Sequence, residues 1–162
     1  MKAKKLTYRN LPLFCLMLLT TFMWGCNQDD DEIQLDLVSF NNVALSSHNE
    51  VPEFNSIGTG QFNGVYNRQT KKITYNVTWV LSDLDDNTVG MHFHGPASPN
   101  ESAPVVIPVT GFSDNSGGTF SGTTRALTKD EEEQLLSGKW YFNIHSTTHP
   151  TGELRGNLLR KK

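Results

Sequence analysis

Cysteine is almost missing from this sequence. Its 162 residues contain two, Cys15 and Cys26, and no thiol follows position 26. Most of the chain therefore has neither a disulfide framework nor a cysteine nucleophile, and its fold must rest on an apolar core. Long apolar runs are missing as well, apart from Leu11 to Trp24, which is shorter than the roughly 20 residues a spanning helix needs. Positive charge is scarce. Four of the 14 basic residues (Lys2, Lys4, Lys5 and Arg9) and none of the 17 acidic ones lie in the first 25 positions. The remainder sets ten basic residues against 17 acidic ones, a net charge of −7, which does not suit nucleic acid or an anionic bilayer. There is no GxSxG elbow, no P-loop and no GxGxxG turn, and "DLDDNT" (Asp83–Thr88) lacks the spacing of a calcium loop. There is also no internal repeat and no boundary for a second folded domain.

What is present begins with a cationic start, an apolar stretch and an abrupt change to polar sequence after Gly25-Cys26. That order is a secretory signal peptide; a retained N-terminal anchor helix is the competing reading. "MWGC" resembles the bacterial lipoprotein cleavage box, with Met23 and Trp24 standing where Leu and Ala are usual. The resemblance implies a signal peptide over 1–25, lipid on Cys26, an acidic linker over 26–34 and a single domain over 35–160. Cleavage leaves 137 of the 162 residues, enough for one domain with a core. "NQDDDE" after Cys26 resembles the acidic tag that sends some lipoproteins of Gram-negative bacteria to the outside of the outer membrane, and reads equally as a solvated spacer. The expectation is an outer-membrane lipoprotein on the periplasmic or cell-surface face, tethered by its lipid. No protein or glycan partner can be read from the residues.

The mature part reads as strands. In "KKITYNVTWVLS", Ile73, Tyr75, Val77, Trp79 and Leu81 share one face, while Thr74, Asn76 and Thr78 share the other. "IQLDLVSF" puts Ile33, Leu35 and Leu37 on one face. Further strands are expected in "GTGQFNGVYN", "VGMHFH", "PVVIPV", "GGTFSGTTR", "WYFNIHS" and "GELRGNLL". One helix is expected in "ALTKDEEEQLLSGKW", where Thr128 and Glu131 form a capping box and Gly138 ends the helix. Glu131, Glu132 and Glu133 suit a charged helix face better than a metal site. About eight strands and one short helix predict an all-β, antiparallel β-sandwich or Greek-key barrel.

Two strands carry histidine. With Val89, Met91 and Phe93 pointing inward, Gly90, His92 and His94 face out; with Trp140, Phe142 and Ile144 inward, Tyr141, Asn143 and His145 face out. With Leu154 and Leu158 inward, Glu153 and Arg155 face out too. The expected outer-face polar patch is His92, His94, His145, Asn143, Glu153 and Arg155. Three imidazoles suffice for zinc or copper with one position left open. The alternative is plain strand-end hydrogen bonding, with Glu153 paired to Arg155. His48 is expected in an exposed loop and His149 in a turn before Pro150. Trp79 and Trp140 fall on core faces rather than on a sugar-stacking surface.

Taken in order, "LSSHNEVP" (Leu45–Pro52), "GTGQF" (Gly58–Phe62), "ITYNVTW" (Ile73–Trp79), "HFHGPA" (His92–Ala97) and "APVVIPV" (Ala103–Val109) resemble the CHRD domain. "SGT" (Ser121–Thr123), "ALT" (Ala126–Thr128) and "LLSGKWYFNIHSTTHPTGELRGNL" (Leu135–Leu158) complete the resemblance, over roughly residues 36 to 159. It implies an immunoglobulin-like β-sandwich outside the cytoplasm that acts as a binding or structural module, with no catalytic activity established for the family. In chordin these domains accompany separate cysteine-rich growth-factor-binding modules, so growth-factor binding does not transfer. The chain is also faintly similar to copper/zinc superoxide dismutases, which have an HxH strand and a glycine-rich strand with an arginine near the C-terminus. That likeness makes His92, His94 and His145 candidate ligands. The dismutase zinc loop has no equivalent, since "ASPNESAPVV" holds no histidine.

Overall fold

A computed structural model describes residues 36–160; the expected signal peptide over 1–25, Cys26, the whole expected linker over 26–34, and Ile33 and Leu35 of the first expected strand lie outside the described residues. Eight strands follow in chain order: β1 (Leu37–Leu45), β2 (Thr59–Asn67), β3 (Lys72–Val80), β4 (Thr88–His94), β5 (Val105–Pro108), β6 (Gly117–Thr123), β7 (Tyr141–Ser146) and β8 (Leu154–Asn157). A 3-10 turn at Ser47–Asn49 follows β1, and one helix, α1 (Lys129–Leu136), precedes β7. All pairings are antiparallel. They give two four-stranded sheets, β1-β2-β3-β6 and β5-β4-β7-β8, so the architecture is a sandwich and not a closed barrel.

The core forms where the inward rows meet. Ile73, Tyr75, Val77 and Trp79 of β3 are buried, as the alternation predicts. Phe62 of β2 and Tyr75 of β3 meet Phe93 of β4 and Phe142 of β7. The Phe62–Phe93, Tyr75–Phe93 and Phe93–Phe142 ring pairs are edge-on at 5.8, 5.1 and 5.0 Å. Such pairs add roughly 0.5–1.5 kcal/mol each beyond the area they bury. Trp140, just before β7, is 1% exposed and closes one end; Gly95 leaves room for it, since a Cβ there would stand 2.5 Å from its Cδ1.

Two strand phases differ from simple alternation. Val89, expected inside, is 52% exposed. A register shift between Thr88 and Gly90 turns Thr88 inward, where its Oγ1 accepts from Trp79 Nε1–H at 2.8 Å and its hydroxyl donates to the Asn115 carbonyl at 2.7 Å. Leu37 is likewise exposed, while Val38 and Phe40 turn inward. A bulge between Phe40 and Val43, with Asn42 at φ 54°, then switches the inward row to Val43 and Leu45.

The helix is capped as its sequence predicts. Thr128 Oγ1 accepts from Glu131 N–H at 3.2 Å, and Glu131 Oε2 accepts from Thr128 N–H at 2.8 Å. Arg125 donates to both Glu131 oxygens at 2.7 Å and, with the cap, holds that carboxyl down at about 2. Gly138 follows in the left-handed region at φ 74°.

Candidate metal centre

β4 and β7 are the two central strands of their sheet, and they pair with His92 opposite Asn143, His94 opposite Tyr141 and Gly90 opposite His145. Their apolar row (Met91, Phe93, Phe142, Ile144) fills the core, so the three histidines share the outer face with Tyr141 and Asn143. That face is covered. Asn143 is 3% exposed and Arg155 1%. The cover comes from three irregular segments: the chain from Ser46 to Ile57, the loop from Gly95 to Pro104, and the turn from Thr147 to Gly152. Ser46 and Arg155 exchange backbone hydrogen bonds at 3.0 and 3.2 Å, and Asn49 Nδ2–H donates to the Arg155 carbonyl at 2.9 Å. The Arg155 guanidinium donates from Nη2 to the carbonyls of Glu101 at 2.8 Å and Pro99 at 3.2 Å.

The tautomers follow from the partners. His94 Nδ1 lies 3.0 Å from the Ala103 carbonyl and His145 Nδ1 lies 3.0 Å from the Pro150 carbonyl. A carbonyl only accepts, so both Nδ1 atoms carry the proton and both Nε2 atoms present a bare lone pair. His92 Nδ1 then donates to His145 Nε2 at 3.1 Å, and His94 Nε2 is buried with no partner. One ligand nitrogen from each ring lies within 4.8 Å of the others. Gly90 makes this possible, because a Cβ there would stand 3.0 Å from His92 Cε1 and 3.5 Å from His145 Cδ2.

The electrostatics suit metal ligation. Burial, reinforced by His145 and His94, pushes His92 down to about 4, and burial lowers His94 and His145 too. With the charged forms disfavoured, the one proton a metal must displace is that on His92 Nδ1, which lies between the rings and can move to Nε2. Tetrahedral Zn–N bonds of about 2.0–2.1 Å place ligand nitrogens about 3.3 Å apart, a contraction within reach of side-chain rotation. An all-imidazole set suits zinc or copper, and the carbonyls of Ala103 and Pro150 are the outer-shell acceptors that orient such ligands.

Around the cluster, the His94 ring lies parallel to Tyr141 at 4.7 Å and 5°, and Arg155 Cζ sits 3.6 Å from the Tyr141 ring centroid. Tyr141 thus links the cluster to the arginine that clamps the cover. Glu153 is placed differently from the expected patch. It is fully buried, but it turns away from Arg155 to accept from Ser82 N–H at 2.8 Å and from the Ser56 hydroxyl at 3.2 Å. It ties the end of β3 to the segment before β2. His48 is exposed, and His149 stacks on Phe54 at 4.4 Å; neither belongs to the cluster.

Sequence reasoning passed over Glu50. Burial raises its carboxyl to about 7, against the opposing pull of Arg155 and the Asn143 amide. It lines a cavity of about 430 Å³ beside His94, Tyr141 and Asn143. The signal available was its place within "LSSHNEVP", the stretch that crosses from β1 to the edge strand β8.

The model of the CHRD domain matches residues 42–158. No curated protein and no solved structure matches the chain. The site's residues come from stretches that carry the CHRD resemblance: "LSSHNEVP", "HFHGPA", "APVVIPV" and the block ending in "GELRGNL".

Proposed function

The chain belongs to the CHRD domain family, a structural or binding module, and on that premise we propose that it is an exported, lipid-tethered protein that binds a transition metal, zinc or copper, through His92, His94 and His145. One observation carries the reading: two imidazoles have Nδ1–H groups held by backbone carbonyls, so their Nε2 lone pairs are free to ligate, and one ligand nitrogen from each of the three rings lies within 4.8 Å of the others. When bound, the metal supplies a Lewis-acidic centre with one open position. The protein's own share is to fix the ring orientations, keep them neutral and cover the face with the Arg155-clamped loops. Tethering rests on the leader and Cys26; labelling with a lipid precursor is expected to vanish in Cys26→Ala.

The test of the metal reading is elemental analysis of the purified full chain after dialysis. Stoichiometric zinc or copper, lost in His94→Ala with the fold retained, is the expected result. Metal-free protein whose melting temperature neither ion changes would overturn it. The second reading is a module that acts only by binding or as a scaffold. It is favoured by Arg155, which serves as a clamp for the cover and touches no histidine ligand atom.

A further inference from the structure

The cavity beside the histidines shares His94 with the cluster and extends away from it. It measures about 430 Å³, in the range of small-molecule sites, and is lined by Glu50, Phe54, Tyr141, Asn143, His149 and Gly152 among others. Two of its side-chain oxygens, Glu50 Oε1 and Asn143 Oδ1, are buried with no hydrogen-bond partner. Buried polar atoms are nearly always paired, so two orphans in one cavity ask for an occupant. They lie close together beside Gly152: a Cβ there would stand 2.6 Å from Asn143 Nδ2, 2.8 Å from Glu50 Oε1 and 3.0 Å from Asn143 Oδ1. Gly152, at φ 132°, lets the backbone approach the two side chains this closely, since a side chain there would clash with both. Asn143 is 3% exposed, so its orphan oxygen faces the cavity and not bulk water.

From this geometry we infer that the cavity binds a small organic cation bearing a primary ammonium group, whose N–H bonds are accepted by Glu50 Oε1 and Asn143 Oδ1. Both orphans are acceptors, and an ammonium offers donors only. A sugar hydroxyl would bring lone pairs that the Tyr141 hydroxyl, already paired with Ala103, does not serve. A hard metal ion such as calcium needs six to eight oxygens, and two are present. Arg155 pulls on the Glu50 carboxyl but makes no hydrogen bond to it: its Nη2 donates to Pro99, Glu101 and Asn157. The stacked Phe54–His149 pair supplies an apolar wall for the aliphatic part of the ligand. Neither Glu50 nor Asn143 is a candidate metal ligand, so this site stands apart from the metal reading.

The test is titration of the full chain, freed of metal by a chelator, with n-butylammonium, n-butanol and butyrate, followed by the NMR shifts of the Asn143 side-chain amide and the Gly152 amide. Saturable shifts with n-butylammonium alone are expected. Glu50→Gln, which keeps shape and removes charge, should weaken binding about tenfold or more, as loss of a charge-assisted hydrogen bond does. The titration is made on metal-free protein, so binding there is independent of the metal centre. Absent or unsaturable shifts, equal shifts with n-butanol, or unchanged affinity in Glu50→Gln would each overturn the inference. Should Glu50→Gln fail to fold, Phe54→Ala at the half-buried wall provides the second variant, and unchanged binding there counts against it equally.

Discussion

His92 Nδ1 and His145 Nε2 stand 3.1 Å apart and share one proton between two neutral rings. Protonating both rings would set two positive charges face to face in a partly buried site. The folded pKa of His92 is about 4, against 6.5 ordinarily, so between those values the unfolded chain holds the extra proton. Stability from this ring is complete above about pH 6.5 and falls as pH drops toward 4. Urea midpoints across that window should decline for the wild type and flatten for His92→Gln.

Glu50 has the opposite sign. Its folded pKa lies near 7 and its ordinary value is 4.5, so the folded state takes up the proton more readily. Its contribution is complete below about pH 4.5 and is lost as pH rises through 7, a difference of roughly 3 kcal/mol across the window. Glu50→Gln should therefore be more stable than the wild type at pH 8 and close to it at pH 4.5. Chemical unfolding at the two pH values decides this.

Metal should act on stability by mass action. Zinc or copper at a hundredfold over its Kd would add about 2.7 kcal/mol, reversed by a chelator. The rise in melting temperature should disappear in His94→Ala and in His145→Ala.

Arg155 is a buried cation whose side chain holds the Gly95–Pro104 loop. Arg155→Ala should cost about 3–5 kcal/mol, since it strands the carbonyls of Pro99 and Glu101 and uncovers Tyr141. Arg155→Lys should recover only part of that, because an ammonium cannot lie flat on the Tyr141 ring as the guanidinium does. Denaturant titration of both variants checks this.

The two faces of β7 and its approach should respond differently. Trp140→Ala truncates a side chain 1% exposed and should cost about 3–5 kcal/mol. His145→Ala, tested without metal, should cost about 1 kcal/mol, the worth of its hydrogen bonds. Equal losses would contradict the assignment of Trp140 to the core.

Much of this was legible because it is periodic. Alternation in Ile73–Trp79 and the Thr128/Glu131 pair read directly into β3 and the capped helix, and parity placed the histidines on one face of β4 and β7. What escaped depends on long-range geometry with no local period. Val89 left the core because Trp79 needed an acceptor from Thr88, and Leu37 because a bulge at Asn42 reset the strand. Glu153 turned to Ser82, and Glu50 came to Asn143 along a loop that no alternation describes. The outer-face reading did not include the cover, since cover is made by irregular chain, part of it held by one arginine.

Because successive residues of β4 and β7 point to opposite sides, the aromatic interior and the imidazole group are written on alternate letters of the same short words. The imidazole side can thus be rewritten, one ring exchanged for another side chain, while the letters that give cohesion stay untouched. A scaffold built this way is open to new chemistry at little structural risk.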